Sequence, residues 1–265
     1  MISARHRSYL FVPGNRPDRF DKALASGADQ VIVDLEDSVP PDQKNEARRQ
    51  VAAWLSASKP VILRINSVET PWFRDDIEMC RLPGVAAVML AKSERTEDIA
   101  RLGNSLPCIP LIESAVGFAN IRSIAAAVGV HRLAFGAIDF QLDMNMAALP
   151  AELMFFRSEF VLASRLASIG APIDSPSITI DEAQIVEAEA SHALRLGFAG
   201  KLCIHPRQVE AVNLAFTPRD EEIVWARRVI AAAAASGHAA VALDGKMIDG
   251  PVVKAAEALL RVLSQ

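Results

Sequence analysis

The stretch that decides the fold is PCIPLIESAVGF, residues Pro107–Phe118. Five mostly apolar residues, Cys108 to Ile112, lead directly into Glu113, and a small-residue turn with a helical pattern follows. A short apolar run of this kind is typical of a strand that is buried on both faces in a parallel sheet. An ionised carboxylate is costly to bury alone at the end of such a strand. Glu113 is therefore predicted to have a neutralising partner.

The same arrangement, an apolar run followed by a segment of helical period, occurs eight times within residues 1–215. The runs are SYLFV, DQVIVDL, PVILRI, VAAVMLA, CIPLI, HRLAFGA, APIDSPS and AGKLCI. Eight such units predict an α/β fold, a closed (β/α)₈ TIM barrel, with an open doubly wound sheet as the alternative. No G-x-G-x-x-G follows the first strand, and the P-loop pattern is absent, which removes the usual phosphate-binding loops of an open sheet.

The helical patterns predict helices near residues 18–26, 41–57, 96–102, 118–128, 151–169 and 182–196, and a short one after Pro71. The segment after Asp139, FQLDMNMAALP, is interpreted as a loop, and Arg48 and Arg49 are placed on an exposed helix face.

Residues 216–265 form an extension that a barrel does not need in order to close. A helical pattern is followed by two short apolar runs joined by Asp244-Gly245, and a final amphipathic pattern follows Pro251. Asp-Gly favours a type I′ turn, which needs positive φ at both central positions. The extension is predicted as helix, β-hairpin and helix, and residues 1–215 as the catalytic domain.

Composition excludes several classes of protein. The 265-residue chain is 51% hydrophobic and 23% charged, which allows a large core, and its net charge of −4 gives no footprint for nucleic acid. No membrane-length apolar run and no signal-peptide pattern are present. Cys80, Cys108 and Cys203 lack paired spacing and are interpreted as reduced core thiols. We expect a cytoplasmic protein without membrane or nucleic-acid partners.

Charged and polar residues follow most of the predicted strands, where barrel enzymes place their active sites. They are Asp34, Glu36, Asp37, Arg64, Asn66, Lys92, Glu113, Ser114, Asp139, Asp174, Ser175 and His205. A solvated rim would account for two or three of them, so the set as a whole predicts the site.

Four of these residues, Glu36, Asp37, Glu113 and Asp139, are carboxylates that would converge at the barrel mouth. Two like charges 4 Å apart repel by roughly 4 kcal/mol at an effective dielectric constant of about 20. Either some carboxylates are protonated or a divalent cation lies among them. Oxygen ligands without His or Cys favour Mg²⁺, with Mn²⁺ possible. We predict Glu113 and Asp139 as the metal ligands; the alternative is that each carboxylate accepts hydrogen bonds from loop N–H groups.

Seven motifs, in order from Arg7 to the C-terminal end, resemble those of the citrate lyase β subunit and malyl-CoA lyase-like proteins of the HpcH/HpaI aldolase superfamily. The motifs are RSYLFVPGNRPDRF, VIVDLEDSVPPDQKNEAR, LRINS, IPLIESAVG, LAFGAIDF, GFAGKLCIHPRQV and LDGKMIDGPVV. The order of all seven is specific, whereas any single motif would be weak.

The resemblance implies a (β/α)₈ barrel that assembles as a homotrimer or a dimer of trimers and binds Mg²⁺. It implies that Glu113 and Asp139 hold the metal, that Glu113 contacts the substrate, and that Arg64 grips the substrate carboxylate. Glu36 and Asp37 would order substrate or metal-bound water.

The resemblance also implies that Asp249 is an acid/base group supplied by the C-terminal extension, which would cap the site of a neighbouring subunit. Asp249 could instead simply cap the final helix. The chain departs from the citrate lyase β pattern at Ile138, where those subunits usually have Glu, and in the segment after Asp139. These differences leave the identity of the acid product open.

The implied function is an Mg²⁺-dependent carbon–carbon lyase that cleaves or forms a 3-hydroxyacyl-CoA, such as citryl-CoA or malyl-CoA, with acetyl-CoA and a 2-oxo acid as the other reactants. Arg16, Arg19 and Lys22 are candidates for the CoA phosphates, with ordinary surface charge as the alternative. Two other functions stay open: a metal-dependent aldolase of free 2-oxo acids, and a barrel that binds CoA esters without turnover.

Overall fold

The computed structural model describes residues 6–103, 106–149, 151–235, 237 and 240–263. The chain divides into two compact units, Met1–Phe216 and Thr217–Gln265. The described residues do not include Pro150, which belongs to the segment predicted as a loop. They also do not include residues 1–5 of the predicted catalytic domain or residues 264–265 of the predicted extension.

The first unit is a closed barrel of eight parallel strands in sequential order, and β8 pairs with β1. The strands are β1 Ser8–Pro13, β2 Gln30–Asp34, β3 Val61–Ile65, β4 Val85–Leu90, β5 Cys108–Ile112, β6 Ala134–Phe135, β7 Ile173–Asp174 and β8 Gly200–Cys203. The predicted (β/α)₈ barrel is therefore confirmed, and the open sheet is wrong.

Helices follow the strands and cover the outside of the barrel. They are α1 Phe20–Leu24, α2 Lys44–Trp54, α3 Phe73–Met79, α4 Thr96–Ala100, α5 Ala115–Ala119, α6 Ile121–Ala125, α7 Ala137–Asp143, α8 Met154–Leu166, α9 Ala183–Leu196 and α10 Val209–Ala215. Two predictions are wrong here. The helix expected over 118–128 is two short helices that meet at Asn120, and the segment after Asp139 begins with α7.

Alternation along the strands decides which side chains enter the barrel. Side chains of a strand point to opposite faces with period two. One apolar cluster fills the interior and consists of Tyr9, Ile32, Ile62, Ala87, Met89, Ile109, Leu111, Ala134, Ile173 and Leu202, with Phe11 packed against it. The intervening residues, such as Val33, Leu63 and Ile112, pack outward against the helices.

At the carboxyl ends of three strands, the next inward-facing position after the apolar cluster is occupied by a charged residue. Asp34 follows Ile32, Arg64 follows Ile62, and Glu113 follows Leu111, in each case by two residues. The same parity that buries the aliphatic layer therefore aims these three charged side chains into the mouth of the barrel.

The second unit contains α11 Asp220–Ala235, a two-stranded antiparallel sheet of β9 Val241–Leu243 and β10 Lys246–Ile248, and α12 Gly250–Leu263. Asp244 and Gly245 join the strands with φ values of 51° and 73°, as a type I′ turn requires. The predicted helix, hairpin and helix are confirmed.

No helix within the described residues is both long enough and apolar enough to cross a lipid bilayer.

Candidate active site

A cavity of about 390 Å³ opens at the carboxyl ends of the barrel strands. Its lining residues are Phe11, Pro13, Asp34, Asp37, Ser38, Arg64, Leu111, Glu113, Gly136, Ala137, Ile138, Asp139, Pro176, Leu202 and Ile204. Five residues of the predicted strand-end set, Asp34, Asp37, Arg64, Glu113 and Asp139, lie together in this lining. This is the face on which barrel enzymes place their catalytic groups.

Glu113 lies at the end of β5 with only 3% of its surface exposed. Ser114 caps helix α5 by accepting a hydrogen bond from the Gly117 N–H at 3.1 Å, so the chain turns immediately after Glu113. The Glu113 Oε1 accepts a hydrogen bond from the backbone N–H of Lys92 at 2.8 Å. The carboxylate is thus held between β5 and the end of β4.

Glycine at position 136 makes room for this carboxylate. A Cβ atom at Gly136 would lie 2.6 Å from both Cβ and Oε2 of Glu113, closer than real contacts allow. The small residue at the end of β6 is therefore required by the position of the Glu113 side chain. Any larger residue would displace it.

Burial raises the pKa of Glu113 to about 8, and the negative charges of Glu36 and Asp139 add to this effect, while Arg64 opposes it. The influence of Asp139 follows from its place in the first turn of α7, where it lines the same cavity. Asp143, at the end of α7, accepts a hydrogen bond from the Ala115 N–H at 2.7 Å and joins the two segments. Glu113 and Asp139 are therefore neighbouring carboxylates.

These two carboxylates are the groups that could hold a metal ion. The described residues contain no cluster of three or more His, Cys, Asp or Glu side chains suited to a metal. A pair of carboxylates suits a hard cation that keeps several water molecules, as Mg²⁺ does. The raised pKa of the buried Glu113 fits such an ion, because a divalent cation would offset the cost of the charged form.

Arg64 projects from β3 and is held by carboxylates from β2. Its Nε and Nη2 donate to Oδ1 and Oδ2 of Asp34 at 2.6 and 2.7 Å, and its Nη1 lies 3.1 Å from Oε2 of Glu36. The guanidinium also lies over the ring of Phe11, 4.7 Å from its centre. The carboxylates keep the pKa of Arg64 raised despite its burial. Its plane is therefore fixed.

Asp34 belongs to the predicted strand-end set, but no role was predicted for it. It is buried, and it also accepts hydrogen bonds from the backbone N–H groups of Glu36 and Ser38 at 2.8 and 3.1 Å. Burial by itself would raise the pKa of Asp34, but Arg64 lowers it below the ordinary value. Asp34 therefore organises both Arg64 and the loop after β2. The signal in the sequence was that Asp34 lies two residues after Ile32, so the two side chains share the face that points into the barrel.

Glu36 and Asp37 differ in position. Asp37 lines the cavity and has a half-exposed side chain, whereas Glu36 is buried beside the cavity and outside its lining. Burial raises the pKa of Glu36. The Nζ atom of Lys92 lies 3.2 Å from Glu36 Oε1 and 3.9 Å from Asp37 Oδ1. Lys92 is therefore a salt-bridge partner of these two carboxylates.

Lys92 has an unusual backbone, with φ of 49°. A residue with a side chain seldom adopts this left-handed region, and surrounding contacts must hold it there. In this conformation its N–H bonds Glu113 while its side chain reaches Glu36. Lys92 thus connects the carboxylate at β5 with the loop after β2.

A buried polar network supports the loop after β2 from below. Lys44 Nζ donates to the carbonyl oxygens of Leu35 and Glu36 and to Asn66 Oδ1 at 2.7, 2.8 and 2.8 Å. Asn66 donates in turn to Asp76 Oδ2 at 2.6 Å, and a buried Arg48 donates to Asp76 Oδ1 at 2.8 Å.

The placement of Arg48 on an exposed face is therefore wrong. The buried residues of α2 are Lys44, Ala47, Arg48 and Val51. Their spacing is that of one helix face, so the buried stripe includes both cations.

The remaining strand-end residues have structural partners. Asp174 is buried and pairs with Arg157 at 2.8 Å and with Lys201 at 3.3 Å. His205 Nδ1 accepts a hydrogen bond from the Arg207 N–H at 3.3 Å at the turn into α10. Neither Asp174 nor His205 is in the lining of the main cavity.

The candidate CoA contacts lie on the surface after β1. Arg16, Arg19 and Lys22 are exposed, and Arg16 pairs with Asp18 at 2.9 Å. None of the three lines the cavity. Their assignment to CoA phosphates stays a prediction.

Asp249 belongs to the second unit, where its Oδ1 accepts a hydrogen bond from the Val252 N–H at 3.3 Å at the start of α12. The helix-capping contact is thus present in the structure. Its acid/base role stays a prediction.

Comparison with known proteins places this geometry in a family. The HpcH/HpaI aldolase/citrate lyase model matches residues 7–206. The citrate lyase subunit beta-like protein of Deinococcus radiodurans is 33% identical over 96% of both chains. The L-malyl-CoA/beta-methylmalyl-CoA lyase of Cereibacter sphaeroides is 31% identical over 97% of this chain and 94% of its own.

A solved structure is also similar to this chain in both sequence and fold. The CitE protein of Mycobacterium tuberculosis, in complex with magnesium, acetoacetate and coenzyme A, superposes with a TM-score of 0.89 at 32% identity over 99% of each chain. The chain belongs to the HpcH/HpaI aldolase/citrate lyase family, and its predicted class, carbon–carbon lyase, is confirmed.

Proposed function

We propose that this protein is an Mg²⁺-dependent lyase that cleaves, or in reverse forms, a 3-hydroxyacyl-CoA with acetyl-CoA and a 2-oxo acid as the smaller reactants. One observation carries the proposal. A guanidinium fixed by Asp34 and a pair of neighbouring carboxylates, Glu113 and Asp139, line the same cavity. The relatives named for malyl-CoA and the neighbour bound to magnesium, acetoacetate and coenzyme A support this chemistry.

Arg64 binds the carboxylate of the oxo-acid fragment. A guanidinium has five N–H donors. Asp34 takes two of them and Glu36 faces a third. Within the described residues, one donor on each terminal nitrogen remains for substrate, with Asp37 Oδ2 3.9 Å from Nη1 as the nearest competitor. Two such donors hold a carboxylate in one plane and so fix the orientation of the carbinol carbon.

Glu113 and Asp139 would hold the Mg²⁺ ion, with Mn²⁺ as a substitute. When bound, the ion would act as a Lewis acid toward the oxygens of the oxo-acid fragment and as a template for their position. Burial of Glu113, its bond from the Lys92 N–H and the space at Gly136 keep that carboxylate in one place. Asp37, half exposed in the lining, and Glu36 behind it would order substrate or water.

The cleavage is redox-neutral. The hydroxyl proton passes to a base as the hydroxyl carbon becomes the ketone carbon, and the bond between this carbon and the carbon next to the thioester breaks. The electron pair of that bond passes to the thioester enolate, whose carbon then takes up a proton to give acetyl-CoA. Asp249 is the proposed proton carrier, because a carboxylate on a hairpin can approach a site after substrate binds.

Assembly and location complete the proposal. We propose a homotrimer or a dimer of trimers in the cytoplasm, in which residues 216–265 of one subunit cap the site of its neighbour and bring Asp249 there. The exposed Arg16, Arg19 and Lys22 would contact the CoA phosphates. Light scattering of the purified protein, together with mixing of Asp249→Asn and Asp139→Ala subunits, tests this arrangement. If subunits are shared as proposed, the mixture regains activity that neither variant has alone.

The function is tested by supplying purified protein and Mg²⁺ or Mn²⁺ with citryl-CoA, malyl-CoA, methylmalyl-type CoA esters and free 2-oxo acids. We expect release of acetyl-CoA or its homologue from at least one ester, lost in EDTA and reduced roughly a thousandfold in Asp139→Ala. Turnover of free oxo acids alone would favour the aldolase. Binding of esters without turnover would favour the non-catalytic barrel.

A further inference from the structure

The cavity has two chemically distinct sectors. Because the barrel order is sequential from β1 to β8, the position of each lining residue around the mouth follows from its strand. The charged lining residues Asp34, Asp37, Arg64, Glu113 and Asp139 come from β2, β3, β5 and the segment after β6. They lie on the side of the barrel from β2 to β6, where β4 contributes no residue to the lining, and we call this side the charged sector.

The other arc, from β7 through β8 to β1, contributes no charged side chain to the lining within the described residues. Its members are Pro176, Leu202, Ile204, Phe11 and Pro13, and Ile138 continues it from the start of α7. We call this arc the apolar sector. Leu202, Phe11 and Leu111 also form the floor, because they belong to the topmost layer of the barrel interior.

The positive charge available to a ligand lies on one side of the cavity. Arg64 is the one cationic side chain in the lining among the described residues, and Asp34 and Glu36 already face three of its donors. Its two remaining donors suffice for one carboxylate, and the Mg²⁺ ion proposed above would also lie in the charged sector. A second carboxylate that pointed into the apolar sector would meet hydrocarbon and no cation. Such surroundings disfavour an ion.

We propose that the oxo-acid fragment of the substrate has a single carboxylate and an alkyl substituent, and that this substituent lies in the apolar sector. This inference rests on the lyase function proposed above. Arg64 fixes the carboxylate, the carbinol oxygen faces Glu113 and Asp139, and the substituent turns toward Ile204 and Leu202. A fragment with a carboxymethyl group in that place is rejected.

A matched pair of substrates tests the proposal. Citryl-CoA has a carboxymethyl group on its carbinol carbon, and the analogue with a methyl group there differs in nothing else. Cleavage gives oxaloacetate from the first and pyruvate from the second. We expect kcat/KM of wild-type protein to favour the methyl analogue by about 100-fold or more, because a site that leaves a buried charge unpaired discriminates strongly.

Two variants separate the apolar sector from general charge effects. Ile204 lines the cavity but is 44% exposed, so Ile204→Lys introduces a cation there at low cost to folding. The Ile204→Lys substitution should reduce the kcat/KM preference for the methyl analogue over citryl-CoA at least tenfold. Val128→Lys is the control, because Val128 is 75% exposed and precedes β6, at the opposite end of the barrel. The preference should not change in that variant.

A binding measurement covers the case in which a variant is inactive. Calorimetry with Mg²⁺ should give tighter binding of pyruvate than of oxaloacetate to wild-type protein, and a smaller difference in Ile204→Lys. Equal or faster cleavage of citryl-CoA would overturn the inference and leave the lyase function intact. The inference would also be overturned if a folded Ile204→Lys variant kept the wild-type ratio of kcat/KM for the methyl analogue to kcat/KM for citryl-CoA. Failure to cleave any CoA ester would instead overturn the proposed function.

Discussion

Replacing Asp34 with asparagine isolates the pairing that fixes Arg64. The side chain keeps its size, but Arg64 loses a charged partner that accepts two hydrogen bonds at 2.6 and 2.7 Å. Removing one partner of a buried ion pair costs about 3–5 kcal/mol. Asparagine retains one acceptor, and Glu36 stays 3.1 Å from Nη1. We therefore expect a loss of about 2–3 kcal/mol in the free energy of unfolding.

The effect on catalysis should exceed what instability explains. An Arg64 that turns toward Glu36 no longer presents its two remaining donors to the substrate. A loss of about 2.7 kcal/mol of transition-state stabilisation corresponds to about a 100-fold fall in kcat/KM. Steady-state kinetics on the preferred CoA ester, below the melting temperature of the variant, measures this. Urea denaturation of the same preparation measures the unfolding free energy.

Asp174→Asn is the matched control. Asp174 is also a buried strand-end aspartate with two cationic partners, Arg157 and Lys201, but it does not line the cavity. We expect a similar loss of stability and a fall in kcat/KM of less than about fivefold. Equal falls in activity for the two variants would refute the reasoning, as would an Asp34→Asn enzyme within threefold of wild type.

Three further predictions concern the carboxylate site and its supports. The metal-free protein should lose stability as the pH rises from about 4.5 to about 8, because over this range the unfolded chain releases the Glu113 proton and the folded protein, in which burial raises the pKa of Glu113 to about 8, keeps it. The rise in melting temperature on adding Mg²⁺ should therefore be larger at pH 9 than at pH 6, and equal shifts would contradict it. Gly136→Ala should weaken Mg²⁺ binding at least tenfold and cost about 1–3 kcal/mol of stability, because its Cβ would lie 2.6 Å from Glu113. A titration with Mg²⁺ measures the affinity. Gly250→Ala is the control and should leave Mg²⁺ affinity unchanged, because Gly250 has open space around it. Lys44→Met should destabilise the protein by about 1–3 kcal/mol, because Asn66 Oδ1 loses its donor and the Leu35 and Glu36 carbonyls each keep only one of two donors. It should also raise KM more than it lowers kcat, and an unchanged KM would show that the network does not position the loop.

Much of the fold was predictable because its signals are local. Apolar runs of strand length, each followed by a helical period, predicted eight parallel strands, and Asp244-Gly245 predicted the hairpin turn that φ values of 51° and 73° confirm. The carboxylates at the ends of β5 and β6 were likewise visible as charges after apolar runs. Parity along a strand then determines which residue enters the barrel.

The pairing of Asp34 with Arg64 was not predictable, because it depends on register between strands. The two residues are direct partners across β2 and β3, and a shift of two residues would have separated them. Helix α7 was missed because Gly136 and a short apolar pattern are also typical of a loop. Arg48 was misplaced because charge was weighed above its helical spacing with Ala47 and Val51.

The anchoring of Arg64 from a neighbouring strand has a consequence for how the enzyme can be altered. Arg64, the proposed binder of the substrate carboxylate, is anchored in the hydrogen-bonded wall of the barrel, whereas Ile204, Pro176 and Ile138 lie beyond the strand ends. Selection or engineering can therefore exchange these peripheral residues to accept a different side group while the reactive carbon stays in place. Under the proposed function, substrate range and catalytic alignment are separable traits in this molecule.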